Sequence, residues 1–203
     1  MIARIERDAS TAISRYVSNS VCLIGPRSVG KSEVARLIST HFNMRWLDTD
    51  VIADCALKRQ GTSLDAVMRS GRFGVIHAVL AEELERVLDW RVPVVLSAAG
   101  GMLWDAACTQ LLAKRCFVVG ILPSLDLEDA TQILVARDLR RQHFAGEREA
   151  TLRRRINEEL RILMPCMVKI SDVVVVTDGA LLVDLYCRVF VLLCSAREPG
   201  YRR

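Results

Sequence analysis

The sequence predicts an α/β protein in three layers, with a five-stranded parallel sheet held between two layers of helices. Three observations carry this reading. Five short apolar segments, near 21–24, 45–48, 92–97, 116–122 and 172–176, are each followed by a helical pattern. That alternation is expected of parallel strands covered on both faces. The chain is 51% hydrophobic but only 5% aromatic, so its core is built from Val, Leu, Ile and Ala, which suits a layered α/β protein better than a sandwich. A loop bearing two glycines leads straight from the first strand into a helix. The 203 residues suffice for one well-cored domain and are short for two, so residues 1–203 are read as one domain.

Taken in order, residues 1–19 place Ile2, Ile5, Ala9, Ala12, Ile13, Tyr16 and Val17 at helical spacing, which predicts an amphipathic lead-in helix. Val21–Ile24 reads as a buried strand, followed by the glycine loop and a helix from Lys31 to about Phe42. Arg45–Leu47 is a second strand that ends at Asp48-Thr49-Asp50, and residues 51–91 carry helical patterns broken near Gly61 and at 71–74. Val92–Leu96 is the third strand, ending at Ser97-Ala98-Ala99-Gly100-Gly101, and a helix over Leu103–Lys114 leads to the fourth, Cys116–Leu122. Residues 125–141 are helical, 142–149 break the pattern, and helix resumes from Ala150 to Met164. It is expected to stop at Pro165, which has no N–H for the helical ladder. Asp172–Val176 is the fifth strand and Ala180–Ser195 the closing helix, with a frayed tail.

Bulk properties exclude several classes. No apolar run reaches the ~18–20 residues that span a bilayer. The most apolar stretch, Leu181–Leu193, is interrupted by Asp184 and Arg188 and reads as a core helix. The N-terminus lacks an uninterrupted apolar segment of the secretory kind, so a cytoplasmic location is expected. Seven cysteines occur with no C-x-x-C pair, which argues against a disulfide framework and against a zinc site. A net charge of +4 is too small and too dispersed to point to nucleic acid. The expected partners are small molecules, and the chain is expected to be a monomer or weak homodimer.

Ligands of such sheets bind beyond the carboxyl ends of the strands. Those ends place Gly25–Ser32, Asp48–Asp50, Gly100–Gly101 and Thr177–Gly179 together. Gly25-Pro26-Arg27-Ser28-Val29-Gly30-Lys31-Ser32 matches G-x-x-x-x-G-K-[ST]. The glycines let backbone N–H groups surround a phosphate chain, and the following helix adds its positive end. In that pattern Lys31 reaches the β- and γ-phosphates and the Ser32 hydroxyl is a Mg²⁺ ligand. After strand two, one carboxylate is able to hold magnesium through water. A second, two residues on, is able to bind or deprotonate an acceptor hydroxyl. The bland alternative for Asp48-Thr49-Asp50 is helix capping.

The sequence resembles the shikimate kinases, small members of the nucleoside-monophosphate-kinase-like P-loop group, over roughly residues 21–193. The resemblance rests on LIGPRSVGKS, on NMRWLDTD at Asn43–Asp50, on VVLSAAGG at Val94–Gly101, on a proline after a helix at Pro165, and on SDVVVVTD at Ser171–Asp178. It implies a P-loop kinase fold with a helical substrate-binding insert at about 49–91 and a lid at about 137–155. It implies ATP and Mg²⁺ as cofactors, with Gly25, Arg27, Ser28, Val29, Gly30, Lys31, Ser32, Glu33 and Arg137 binding ATP. Ser32 and Asp48 would hold the metal, Lys31 and Asp50 would be catalytic, and Asp50, Gly100 and Gly101 would meet the substrate. The implied reaction is phosphorylation of shikimate to shikimate 3-phosphate, a step of aromatic amino acid biosynthesis.

This chain departs from the family at its acceptor end. Ala99 stands for the first of three glycines after strand three, and Gly74, not an arginine, follows Phe73. Leu163 stands where an arginine usually precedes the proline by two residues, with Arg161 two further back. Two residues turn a helix by about 200°, so Arg161 is expected to point elsewhere. The lid motif, arginine followed by proline and two leucines, is replaced by LRRQHFAGERE at Leu139–Glu149. Residues 137–155 hold seven arginines against three acids. Those arginines read either as a solvated face or as closing on a triphosphate, with Arg137, Arg140 and Arg148 as candidates. The alternatives to shikimate kinase activity are a nucleotide-binding regulatory module without turnover, and a kinase for another small metabolite.

Overall fold

Of the apolar segments, 20–24, 94–97, 116–122 and 173–176 are buried along their whole length, and 45–48 only in part. In a computed structural model, which describes residues 2–3, 20–90, 92–140, 149–178 and 182–197, they form one sheet. Its strands are β1 (Ile2–Ala3), β2 (Ser20–Ile24), β3 (Arg45–Asp48), β4 (Val94–Ser97), β5 (Cys116–Leu122) and β6 (Val173–Val176). They lie in the order β1-β6-β5-β2-β4-β3. The five strands β2 to β6 are parallel. The sixth, β1, is antiparallel to β6, with Ile2 opposite Val175. This corrects the expected lead-in helix at its first residues: Ile2 and Ala3 satisfy their backbone on the open edge of β6. The remainder of that expectation, residues 4–19, lies outside the described residues.

Alternation along β2 sorts the core into two halves. Cys22 and Ile24 face a cluster with Leu84, Leu96, Leu112 and Met167. Val21 and Leu23 face the opposite cluster with Val34, Ile38, Val189 and Leu193. The second cluster is covered by α1 (Lys31–His41) and by the closing helix at Leu182–Arg197. Between β3 and β4 lie α2 (Thr49–Arg59), α3 (Leu64–Arg69) and α4 (Phe73–Leu88). They share a small core of Ala56, Leu57, Val67 and Val79. The breaks expected near Gly61 and Gly71 coincide with positive φ angles of 79° and 71°.

Past β4 the chain makes a 3-10 turn, Gly100–Trp104, and then α5, Ala106–Arg115, where one helix from Leu103 was expected. Asp105 is the reason for the division, since its side chain accepts from Cys108 N–H and starts the new helix. Helices α6 (Leu127–Asp138) and α7 (Glu149–Ile170) pair around Leu134, Leu152, Ile156 and Leu160. Residues 149–155 of the expected lid therefore belong to a helix, and residues 141–148 lie outside the described residues. Helix α7 does not stop at Pro165, as expected, but runs through it to Ile170. Its buried stripe continues past the proline through Met167 and Ile170, and this burial outweighs the one ladder bond that Pro165 cannot make. The closing helix, α8, is Leu182–Arg197. No helix among the described residues is long and apolar enough to cross a membrane.

Of the cysteines, Cys22, Cys108 and Cys116 are buried, and Cys55 and Cys187 are exposed. Burial pushes the thiols of Cys108 and Cys116 up to about 12. No group of three or more His, Cys, Asp or Glu suited to a metal occurs among the described residues.

Candidate active site

A cleft of about 600 Å³ opens at the carboxyl ends of β2, β3 and β4. Its loop from β2 is held close to the sheet. A Cβ on Gly25 would stand 2.5 Å from the Ile121 carbonyl oxygen of β5, so only glycine lets the loop leave β2 at this height. Gly30 takes φ +96°, a conformation open to glycine, and starts α1. The Val29 side chain is buried beneath the loop, so its contribution is packing, with the backbone alone able to meet a ligand. Lys31 folds its ammonium back over the loop and donates to the Pro26 carbonyl at 2.7 Å. Burial draws the Lys31 ammonium down to about 8, against the pull of Asp48, Asp50 and Glu159.

Parallel register brings the second motif to the same place. Asp48, the last residue of β3, lies opposite Ser97, the last of β4. Asp48 Oδ2 accepts from the Ser32 hydroxyl at 3.0 Å and from the Ser97 hydroxyl at 2.7 Å. Its Oδ1 accepts from Asp50 N–H at 3.0 Å. Capping and site chemistry are thus carried by separate oxygens of one carboxylate. Thr49, buried between the two acids, accepts from Ala99 N–H at 2.9 Å and ties α2 to the turn after β4. Asp50 faces the cleft. Burial, and after it the Asp48 charge, raises its carboxyl above the usual range, while Lys31 and Arg27 pull it back.

Arg27, Ser28, Glu33, Gly100 and Gly101 line the same cleft with Lys31, Ser32, Asp48 and Asp50. Arg137 approaches from the end of α6 and donates to the Ser28 carbonyl at 3.3 Å. Ser28 holds φ +62°, and its hydroxyl donates to Asp138 Oδ1. Asp138 is fully buried, and its Oδ2 has no partner among the described residues. The end of α6 therefore grips the loop by a carbonyl and a hydroxyl at once. Arg140 is exposed beyond that helix, and Arg148 lies outside the described residues. Thr177 and Asp178 do not join the cleft; their N–H groups donate to Leu122 and Pro123 at the end of β5.

The two arginines nearest the expected acceptor clamp turn away. Arg72 donates to the Ser70 hydroxyl at 3.0 Å and Arg161 to Asn157 Oδ1 at 2.9 Å. Sequence reasoning missed Ser97, Thr49, Asp138 and Glu159, and it gave His77 no role although His77 lines the cleft. Only Ser97 left a legible sign, as the polar residue closing a strand expected beside the one that ends at Asp48. The arrangement joins in one cleft a glycine loop of the phosphate-binding pattern, a hydroxyl and carboxylate suited to a hard cation, a carboxylate of raised proton affinity, and apolar side chains.

Comparison with known proteins agrees with this fold. The family model for shikimate kinase matches residues 27–183. A shikimate kinase of Xylella fastidiosa is 27% identical over 160 residues, covering 78% of this chain and 83% of that protein. One from Stenotrophomonas maltophilia is 34% identical over 102 residues, covering 49% of this chain and 53% of that protein. Among solved structures, the shikimate kinase of Acinetobacter baumannii in complex with shikimate superposes with TM-score 0.69 at 19% identity, covering 92% of this chain and 98% of that one. That of Aquifex aeolicus gives 0.64 at 19% identity, covering 89% and 99%. Matched in sequence over residues 27–183 and in fold over most of its length, this chain belongs to the shikimate kinase family.

Proposed function

We propose that the chain transfers the γ-phosphoryl group of ATP, with magnesium, to a hydroxyl of a small molecule, as shikimate kinases are named for doing with shikimate to give shikimate 3-phosphate. The observation that carries this reading is the meeting of Lys31, Ser32, Asp48 and Asp50 in one cleft. The backbone of residues 25–30 and the start of α1 hold the phosphate chain. Lys31 neutralises charge on its outer phosphates, and Arg27, Glu33 and Arg137 complete the ATP site. Ser32 Oγ and Asp48 Oδ2, 3.0 Å apart, are hard oxygen donors of the kind Mg²⁺ accepts beside its waters. When bound, the ion offsets charge on the phosphate oxygens. Asp50 orients the acceptor hydroxyl and takes its proton, and its raised proton affinity suits that task. Gly100 and Gly101 present backbone N–H groups to the acceptor. Most of the rate comes from positioning and charge stabilisation. The reading goes with a cytoplasmic monomer or weak homodimer whose partners are ATP and a small molecule.

A coupled ADP-release assay with ATP, Mg²⁺ and shikimate tests it. Lys31→Ala is expected to lower turnover by about 10²-fold or more, the scale of one lost electrostatic group at a transfer site. Turnover that survives the substitution would refute the role of residues 25–32. The buried Leu163 and the diverted Arg72 and Arg161 favour a second reading, in which the acceptor is another metabolite or nucleotide binds without turnover. ATP binding without ADP release from shikimate would select that reading.

A further inference from the structure

The cleft is lined by unlike groups: Lys31 and Arg27 from the phosphate loop, the apolar side chains of Leu64, Met68, Phe73 and Ile76, and His77. Its carboxylates are Glu33 and Asp48 and, with them, Asp50 and Glu159. Glu159 sits on α7 one turn before Leu163, so both side chains leave the helix on one face. Both arrive at the same glycine. A Cβ on Gly100 would lie 3.3 Å from Leu163 Cδ2 and 3.7 Å from Glu159 Oε1. The Glu159 charge also reaches the Lys31 ammonium and raises its proton affinity, which puts this carboxylate on the cleft side of the helix and close to the transfer point. Arg161, two residues on, bonds Asn157 on the exposed face and gives Glu159 no counter-charge. Among the described residues Glu159 accepts no hydrogen bond and forms no ion pair.

A half-buried carboxylate aimed into a cleft and left without donors is completed by a ligand that brings them. We propose that Glu159 is the specificity-determining residue of the acceptor site, and that it selects a hydroxy compound whose polar groups there are hydrogen-bond donors, hydroxyl or ammonium, over one bearing a carboxylate. A carboxylate placed between Asp50 and Glu159 would meet like charge from both, and like-charge juxtaposition in a confined site is a strong means of rejection. The proposal rests on the phosphotransfer reading and narrows its acceptor.

Shikimate and shikimate methyl ester share their ring hydroxyls and differ only in the carboxylate, so their ratio of kcat/KM in the ADP-release assay reads the discrimination. Wild type is expected to favour the ester by about tenfold or more, the effect of one unfavourable charge pair in a confined site. Glu159→Gln, which keeps size and removes charge, should lower that ratio severalfold, chiefly by lowering KM for shikimate, with Asp50 supplying the preference that remains. Glu159→Ala gives the same reading should the glutamine variant misfold. A wild-type preference for shikimate, or a ratio unmoved by both substitutions, overturns the proposal and leaves phosphotransfer standing. Absence of turnover with either compound, while ADP–Mg²⁺ still binds by calorimetry, excludes the shikimate ring as acceptor and selects the second reading, and the assignment of Glu159 falls with it.

Discussion

Asp48→Asn should leave the fold nearly intact while removing magnesium-dependent turnover, because the two oxygens of Asp48 do different things. Oδ1 accepts from Asp50 N–H at 3.0 Å, the cap of α2. Oδ2 accepts from the hydroxyls of Ser32 and Ser97 at 3.0 and 2.7 Å. Asparagine keeps a carbonyl oxygen for the cap, and both hydroxyls can rotate to accept from its amide. What is lost is the charged share of two hydrogen bonds, about 1–2 kcal/mol in all. Asp48→Ala also loses the cap, about 1 kcal/mol, and leaves both hydroxyls without their acceptor, for about 3–4 kcal/mol in total. The effect on the cation runs the other way, since asparagine removes the negative charge that accepts from the Ser32 hydroxyl. Turnover at fixed ATP and Mg²⁺ should fall by about 10²-fold or more in both variants. Urea unfolding gives the stability arm and an Mg²⁺ series in the ADP-release assay gives the other. An Asp48→Asn enzyme with wild-type turnover and Mg²⁺ requirement would show that Asp48 is a helix cap and no more. A large loss of stability in the same variant would show that its oxygens are not separable.

The role proposed for Lys31 needs its ammonium form, whose proton is held only to about 8. The useful form is therefore present below that pH and is lost above it. kcat/KM for ATP, which reports the free enzyme, should decline as pH rises through about 8, and a flat profile to pH 10 would contradict the burial of this amine. The acid limb, set by Asp50, should lie above the ordinary aspartate range because burial and Asp48 both favour its proton. Pro165→Ala returns an N–H to a helix that already continues through this position. It should raise the melting temperature, with a gain of up to about 3 kcal/mol; a fall would mean that α7 is not helical at 165. Gly25→Ala sets a methyl group 2.5 Å from the Ile121 carbonyl, a clash with backbone that cannot rotate away. A cost of about 1–3 kcal/mol and weaker ATP binding are expected, and unchanged affinity would dissociate the loop's height from its function.

The phosphate loop was legible because every feature that defines it is local. Strand, glycines, lysine, serine and helix start follow one another within twelve residues of chain, and the backbone conformation they need is written in the residue types. Asp48 and Asp50 were legible for a related reason, since a strand end places them on the same edge as the loop whatever the rest of the fold does. The lead-in helix was misread at Ile2–Ala3 because helical spacing in a short segment competes with an open sheet edge, and only the edge of β6 decides which one wins. Helix α7 was misread because Pro165 was weighed as a local breaker, whereas the buried stripe that carries the helix past it depends on what lies beneath.

By itself, the sequence determined the class of fold, the succession of its strands and helices along the chain, and the loop proposed to cradle a phosphate chain. Those follow from periodicity, apolar runs and the conformational demands of a few glycines, all of which act over one or two turns of chain. Tertiary structure alone decided what surrounds that loop. Ser97 reaches Asp48 through strand register, Asp138 reaches Ser28 across 110 positions, and Glu159 and Leu163 reach Gly100 because α7 packs on the turn after β4. A side chain's partner at such separations is set by the packing of whole elements, and nothing within its own stretch of sequence specifies it.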